Sequence, residues 1–521
     1  MSKSEASFLS GGFENLTQNR SSSPSSLTIT SSMAKAMESR SNSKSRKEFV
    51  LIKYAVFSRL LVLFLTISWR SFLQPYDTSA ALNPPCLYHE EVTEDSPPLN
   101  AVSKTLENSV VWDSVYFLRI SQCGGYEYEQ TYAFLPLLPF LISLLSRTVF
   151  APLVPLIGLR AVMVLSGYVV TNLAFVFAAI YLFRISVIIL KDTEASFRAS
   201  VMFCFNPASI FYSSIYSESL YALFSIGGLY HLLSGASNVA VFWFALSGCA
   251  RSNGILNAGY ICFQTMHRAY EAFYPKRRVC LLDYFDAYAF VFLFSHFKHT
   301  DTNICHGRKL DELRPWCKAK VPLLYNFIQS HYWGVGFLRY FEFKQLPNFL
   351  LASPILSLAV CSIVSYMKTR PELFISLGFQ ATEKEKRSSA RLYPLKDVLE
   401  PDVKASSSEG NRDIRKRKPS RKDATVTNVA EKSNSPETSG YFSADVFPFV
   451  VHLGLMTATA FFIMHVQVAT RFLSASPSLY WFASHLISSP RHRKWEYLIW
   501  SYCAAYILLG TLLFSNFYPF T

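Results

Sequence analysis

The stretch VMVLSGYVVTNLAFVFAAIYLFRISVIIL, Val162–Leu190, carries one charged side chain, Arg184. It is longer than the roughly 20 residues that cross ~30 Å of hydrocarbon at ~1.5 Å per residue. A soluble domain has no use for such a run, so this segment commits the chain to a membrane. Working outward, comparable runs recur at Phe49 to Trp69, Leu220 to Leu233, Val239 to Tyr260, Phe349 to Tyr366, Val446 to Val466 and Tyr497 to Phe517. Weaker ones are Ala133 to Phe150, interrupted by Pro136 and Pro139, the stretch before Asn206-Pro207, and Leu281 to Phe297 with Asp283, Asp286 and His296. The expected fold is an all-α polytopic bundle of about 8 to 11 transmembrane helices. Proline-broken helices survive at membrane depth only where protein or water satisfies the freed backbone groups, which predicts a cavity near Pro136 and Pro207.

Composition agrees. Half the residues are hydrophobic, 17% are charged, and 44 Phe with 29 Tyr is the aromatic load of a chain with lipid interfaces. The net charge of +14 concentrates in two hydrophilic stretches. The Ser-rich leader, residues 1–48, carries Lys35, Arg40, Lys44, Arg46 and Lys47 before the first span and reads as disordered and cytosolic by the positive-inside rule. It lacks the pattern of a cleaved signal peptide. A linker, residues 368–445, contains Arg412-Asp413-Ile414-Arg415-Lys416-Arg417-Lys418 and reads as a second cytosolic segment. It divides a catalytic module, residues 49–367, from C-terminal helices, 446–521. The basic balance is thus positive-inside bias, not a nucleic-acid surface. The sequence holds no zinc finger, Gly-rich phosphate loop or His-Glu-x-x-His helix.

Residues 70–132 then form a luminal loop, and the chemistry concentrates there. Val111-Trp112-Asp113-Ser114-Val115-Tyr116-Phe117 is followed by Tyr126-Glu127-Tyr128-Glu129-Gln130. Carboxylates at the mouth of a hydrophobic bundle cost desolvation energy and are usually kept for binding or proton transfer. A short amphipathic helix capped by Asn108 or Ser109 would run toward Gln122 and end at Gly124-Gly125. Trp112, Val115, Tyr116 and Arg119 share one of its faces, at the interface. Asp113 falls in its first turn, where the dipole favours the ionised form by ~0.3 to 1 kcal/mol; it reads equally as a base and as a capping residue. Glu127 and Glu129 share a face if extended and diverge if helical. Glu218, within Tyr216-Ser217-Glu218, is expected to face protein, since facing lipid costs ~2.5 to 3.5 kcal/mol. Among ten cysteines, Cys86 with Cys123 and Cys305 with Cys317 are candidate disulfide pairs in an oxidising compartment; free thiols are the alternative.

These strings resemble a family. Trp112-Asp113-Ser114-Val115-Tyr116-Phe117-Leu118-Arg119-Ile120, Tyr128-Glu129-Gln130-Thr131-Tyr132-Ala133-Phe134-Leu135-Pro136, Asn206-Pro207-Ala208, Tyr216-Ser217-Glu218 and Arg251-Ser252-Asn253-Gly254 are followed by Pro315-Trp316-Cys317 and Tyr332-Trp333-Gly334-Val335-Gly336-Phe337-Leu338. Gln345-Leu346-Pro347-Asn348-Phe349 and His465-Val466-Gln467-Val468-Ala469-Thr470-Arg471 complete the set. In this order they are similar to the PIG-V mannosyltransferases, which add the second mannose during glycosylphosphatidylinositol (GPI) anchor assembly. The resemblance implies a C-type (GT-C-like) glycosyltransferase of the endoplasmic reticulum membrane with a luminal active site. It implies dolichyl-phosphate mannose as donor, a mannosyl-glucosaminyl-phosphatidylinositol acceptor and an α-1,6 bond. A β-linked donor then demands inversion by single displacement, with one carboxylate as base. Asp113 matches the position of that base. Arg251 or Arg471 would supply a guanidinium to the leaving phosphate; Arg251 reads equally as a positive-inside anchor. Trp112, Glu129, Gln130, Glu218, Trp333 and Gln467 are the other substrate-binding candidates. No cofactor is implied, the metal requirement is open, and so is a small accessory membrane subunit.

Two departures from the family pattern stand out: the leader, and the stretch Glu271 to Asn303, where acidic and histidine residues interrupt an expected apolar helix. The alternatives are another dolichol-phosphate-sugar-dependent glycosyltransferase and a non-catalytic lipid transporter. A transporter would show repeat symmetry between halves, which the sequence lacks.

Overall fold

The computed structural model describes residues 26–74, 76, 98–276, 316–317, 324–388, 392–393, 440–488 and 493–518. Among them every regular element is a helix. The chain divides into two compact units, Met1–Phe49 and Val50–Thr521. The described part of the first is helical, because the helix that carries the first apolar run spans Ser26–Phe72. Residues 277–315, which hold most of the divergent stretch, and most of the basic linker lie outside the described residues.

Among the described residues, five helices are long and apolar enough to cross a membrane: Asn42–Phe72, Leu159–Leu190, Phe343–Thr369, Ala444–Phe462 and Lys494–Ser515. A sixth crossing is available if Leu137–Arg147 and Ala151–Ile157, bent by 65° at their junction, act as one. Pro136 precedes the first of these and Pro139 falls in its first turn, where a missing N–H is no loss. Two further apolar runs form helices below spanning length. Glu218–Leu233 has 16 residues, and Ser237–Ala250 has 14. The run Val239 to Tyr260 is thus not one helix: at Arg251 the backbone turns extended and Ser252–Asn257 winds as a 3-10 turn. Arg251-Ser252-Asn253-Gly254 is the sequence of that break.

The core gathers on Leu159–Leu190, against which Leu137–Arg147, Thr193–Cys204 and Glu218–Leu233 pack. Glu218–Leu233 also lies along Ser237–Ala250. Gly228 allows that approach, since a β-carbon there would meet the Phe244 ring at 2.6 Å. A buried Trp481 on Pro477–Ser488 donates to Ser186 Oγ at 2.7 Å, a polar tie of the kind that holds helices together where hydrophobic drive is weak.

The break at Asn206-Pro207 shows how freed backbone groups are satisfied. Helix Thr193–Cys204 ends there and Ser209–Ser213 begins. Asn206 Oδ1 accepts from Ala208 N–H at 2.8 Å, and its amide donates to Phe203 O at 2.8 Å. Arg59, from the first helix, donates to Ser209 O at 2.9 Å and Cys204 O at 3.1 Å, with its guanidinium 3.8 Å from the centroid of Phe175. The sequence reading had overlooked Arg59. An apolar cavity of about 490 Å³ adjoins Pro207, and a larger one is lined by Ala133, Phe134 and Leu135, just before Pro136.

Candidate active site

Asp113 opens the helix Asp113–Cys123, which ends at Gly124 in the left-handed conformation with its N–H on Ile120 O. Gly124 stops the helix as its sequence predicts. The start differs. Asn108 closes a separate helix, Asn100–Asn108, so neither Asn108 nor Ser109 caps the one that carries the acid. Trp112 holds the cap position at φ 54°, where a bulky side chain is strained by order 1–3 kcal/mol. Its indole N–H donates to Phe514 O at 3.1 Å and its ring packs against Phe517. The last helix thereby pins the residue that aims Asp113.

The loop strings converge on one cavity of about 640 Å³, within the range of small-ligand sites. Asp113, Trp112, Gln130, Glu218, Arg251, Trp333, Gln467 and Arg471 all line it. Glu129 does not. It stands behind the wall, accepting from Trp316 Nε1 at 2.7 Å and from Tyr332 OH at 2.8 Å. Glu127 turns the other way, to Arg119 at 2.9 Å. A 3-10 turn, Glu129–Ala133, separates the directions of the two acids.

Across the cavity runs an alternating chain of charge. Arg471 Nη1 lies 3.4 Å from Asp113 Oδ2, Arg471 Nε lies 3.7 Å from Glu218 Oε1, and Arg251 Nη1 is paired with the same Glu218 oxygen. Glu218 is 2% exposed and faces protein, as expected. The Asp113 side chain keeps 36% of its surface, yet protein surrounds it closely enough that burial lifts its carboxyl above the ordinary carboxylate range. Arg471 opposes that shift, and the nearby Glu218 reinforces it. Burial thus outweighs the helix dipole, and the result is a carboxylate more basic than a surface aspartate. Burial works against the charge on Arg471, but Glu218 and Asp113 more than offset it and hold the guanidinium charged.

Tyr216 OH accepts the Asp113 backbone N–H at 3.1 Å, and burial pushes its phenol well up, so it keeps its proton. Gln467 accepts from Tyr340 OH at 3.1 Å, and Asn348 donates to the same phenol at 2.8 Å. His465 stacks on Tyr340 with centroids 4.7 Å apart. Tyr216, His465, Asn253 and Tyr325 line the cavity but were not singled out from sequence. Their only signal was membership of the quoted strings or, for Tyr325, none. Asn253 is buried, and among the described residues neither its amide oxygen nor its nitrogen finds a hydrogen-bond partner. Gly254 beside it has no room for a β-carbon, which would collide with the Ser247 backbone, so the turn lies hard against the preceding helix. Cys123 and Cys317 each take part in a disulfide; Cys86 and Cys305 lie outside the described residues.

A half-buried acid beside Arg471, with Arg251 beyond Glu218, in a cavity walled by aromatic and amide side chains, is equipped to take a proton from a hydroxyl while a phosphate is held. The family described as "Mannosyltransferase (PIG-V)" matches residues 46–521. The chain is 28% identical to the human GPI alpha-1,6-mannosyltransferase 2, with 92% of this chain and 99% of that protein aligned. It is 28% identical to the Drosophila melanogaster GPI mannosyltransferase 2 over 90% and 99%. A Cryptococcus neoformans GPI mannosyltransferase 2 is 31% identical over 60% of this chain and 71% of that one. No solved structure matches. The match of family to nearly the whole chain beyond its leader, and of chemistry to cavity, places this protein in the PIG-V mannosyltransferase family.

Proposed function

We propose that the protein transfers mannose from dolichyl-phosphate mannose to the 6-hydroxyl of the first mannose of a GPI precursor, at the luminal face of the endoplasmic reticulum membrane. The names of its relatives supply the GPI substrate and the α-1,6 linkage. The observation that carries the mechanism is the chain Asp113, Arg471, Glu218, Arg251 lining one cavity.

In that mechanism Asp113 takes the proton of the attacking hydroxyl as the new bond forms at the anomeric carbon. The bond from that carbon to the phosphate oxygen breaks, and dolichyl phosphate leaves with the electron pair. The attack comes from the face opposite the leaving group, so configuration inverts. Arg471, with Arg251 behind Glu218, stabilises the charge that grows on the phosphate, a task for which a guanidinium fork is suited. Trp333, Gln130 and Gln467 form the sugar-facing wall. Glu129 acts at one remove, by fixing Tyr332.

The test is complementation of cells that lack the second GPI mannosyltransferase, scored by surface GPI-anchored protein. Rescue by the wild-type chain and not by equally expressed Asp113→Ala is the expected result. Rescue by both would remove Asp113 as base, and rescue by neither would overturn the assignment.

A further inference from the structure

A third cavity, of about 230 Å³, lies between the first helix, Asn100–Asn108 and the end of the last helix. Its charged group is Arg70. Among the described residues Arg70 faces no carboxylate: it donates to Ser515 O at 3.2 Å and its guanidinium lies 5.8 Å from the Phe517 ring. Apart from the Asn108 amide, the remaining polar lining is made of hydroxyls whose protons are already committed. Thr66 donates to Val62 O, Ser71 to Ile67 O, Thr105 to Ala101 O and Ser515 to Thr511 O, each within its own helix. What such hydroxyls retain for a ligand is lone pairs, which accept from other hydroxyls. Arg70 and the exposed Asn108 amide supply donors. One cation, an amide and a ring of acceptor oxygens fit an anionic polyol better than a bare phosphate.

The position matters as much as the chemistry. Ser109 lines this cavity and Asp113 the larger one, and four residues of chain span at most about 14 Å. On the other side Ser515 lines this cavity, while the adjacent Phe514 carbonyl receives the Trp112 indole. The two cavities are therefore neighbours across a thin wall. Both substrates of the proposed reaction carry a lipid phosphate, and the arginines of the larger cavity are already shared with carboxylates.

We propose that the Arg70 cavity anchors the phosphate-bearing polyol end of the acceptor lipid, holding it while the sugar at the far end reaches Asp113. This rests on the reaction proposed above, so the test has one arm that does not. In the first arm the full chain, in nanodiscs, is melted with glycerophosphoinositol, inorganic phosphate or uncharged inositol. Glycerophosphoinositol raises the melting temperature of wild type, the other two do so far less, and Arg70→Gln abolishes the gain while Arg70→Lys keeps part of it. An equal gain in Arg70→Gln, or an equal gain from inorganic phosphate, overturns the proposal.

In the second arm, Arg70→Gln raises the KM for acceptor about tenfold, the factor given by losing about 1.4 kcal/mol, and leaves the KM for donor unchanged. A rise in both, or in neither, overturns it. If Arg70→Gln fails to fold, Arg70→Lys and the exposed Asn108→Ala carry both arms, with smaller shifts of the same sign. If wild type transfers no mannose yet glycerophosphoinositol stabilises it through Arg70, the proposed reaction falls and the anion site stands.

Discussion

Two arginines, Arg370 just past the end of helix Leu346–Thr369 and Arg471 on the short helix Ala469–Leu473, use the same chemistry to opposite ends. Arg370 is saturated: it meets Glu372 at 2.5 Å, Glu385 at 2.8 Å and Phe442 O at 3.1 Å. Arg471, which lines the cavity together with Gln467, reaches its carboxylates only at 3.4 and 3.7 Å, and among the described residues its Nε makes no hydrogen bond. Glu218 Oε2 beside it is likewise unbonded. A fully satisfied ionic cluster closes a structure, whereas a partly satisfied one in a cavity leaves bonding capacity for a ligand. The contrast separates the arginine that builds the protein from the one that works.

The comparison can be broken most directly at Asp113. Asp113→Asn should lower mannose transfer by about 10²–10⁴-fold, the usual worth of a general base, with no loss of melting temperature, because it removes a charge that burial disfavours. An active Asp113→Asn would dissolve the distinction. The wild-type pH profile sharpens the same point. The folded carboxyl lies above its ordinary value of 3.8, so between the two values the unfolded chain releases its proton first. Across that window stability falls as pH rises while activity climbs, and Asp113→Asn should flatten both slopes.

Next in size is Glu218→Gln. Removing one partner of a buried pair costs about 3–5 kcal/mol, and here two guanidinium groups lose their shared anion. Thermal melting of the purified protein should fall together with transfer; a variant that melts like wild type would mean that the arginines find other partners. Arg471→Lys should keep the fold but lose about 10²-fold in transfer, with the donor KM raised, since an ammonium cannot reproduce the fork. Smallest is Arg370→Gln, which should cost about 1–2 kcal/mol of stability and leave transfer per folded molecule unchanged. Loss of turnover in that variant would show that the two arginines are coupled.

Much of this was legible in the sequence, and the parts that were not have physical reasons. The long apolar runs announced a polytopic bundle because their length alone exceeds what a soluble core needs. The shorter helices were not separable from spans by hydropathy, since Leu220 to Leu233 is apolar but for Ser225 and His231 whether it crosses a bilayer or stops within a bundle. At the site, Asp113, Glu218, Arg251 and Arg471 stood out as charges in apolar context. That they form one chain depends on packing between residues up to 358 positions apart, which no local pattern encodes. Glu129 was drawn toward the cavity by its neighbours Tyr128 and Gln130, but Trp316 and Tyr332, distant in sequence, claim both its oxygens. Asn253 is an ordinary polar residue until its turn is pressed against the preceding helix, and Tyr216 until its hydroxyl meets the Asp113 backbone.

The left-handed backbone at Trp112 has a consequence for how this site tolerates variation. The main chain there would be most relaxed with glycine, while the indole is needed to grip the last helix, so fold and function ask for different residues at one position. Replacement by glycine should make a protein that accumulates normally in the membrane and turns over poorly. Replacement by a β-branched residue should accumulate least. In a saturation library, abundance and activity would rank the substitutions at this codon in different orders, which marks the position as one selected for chemistry against the preference of its own backbone.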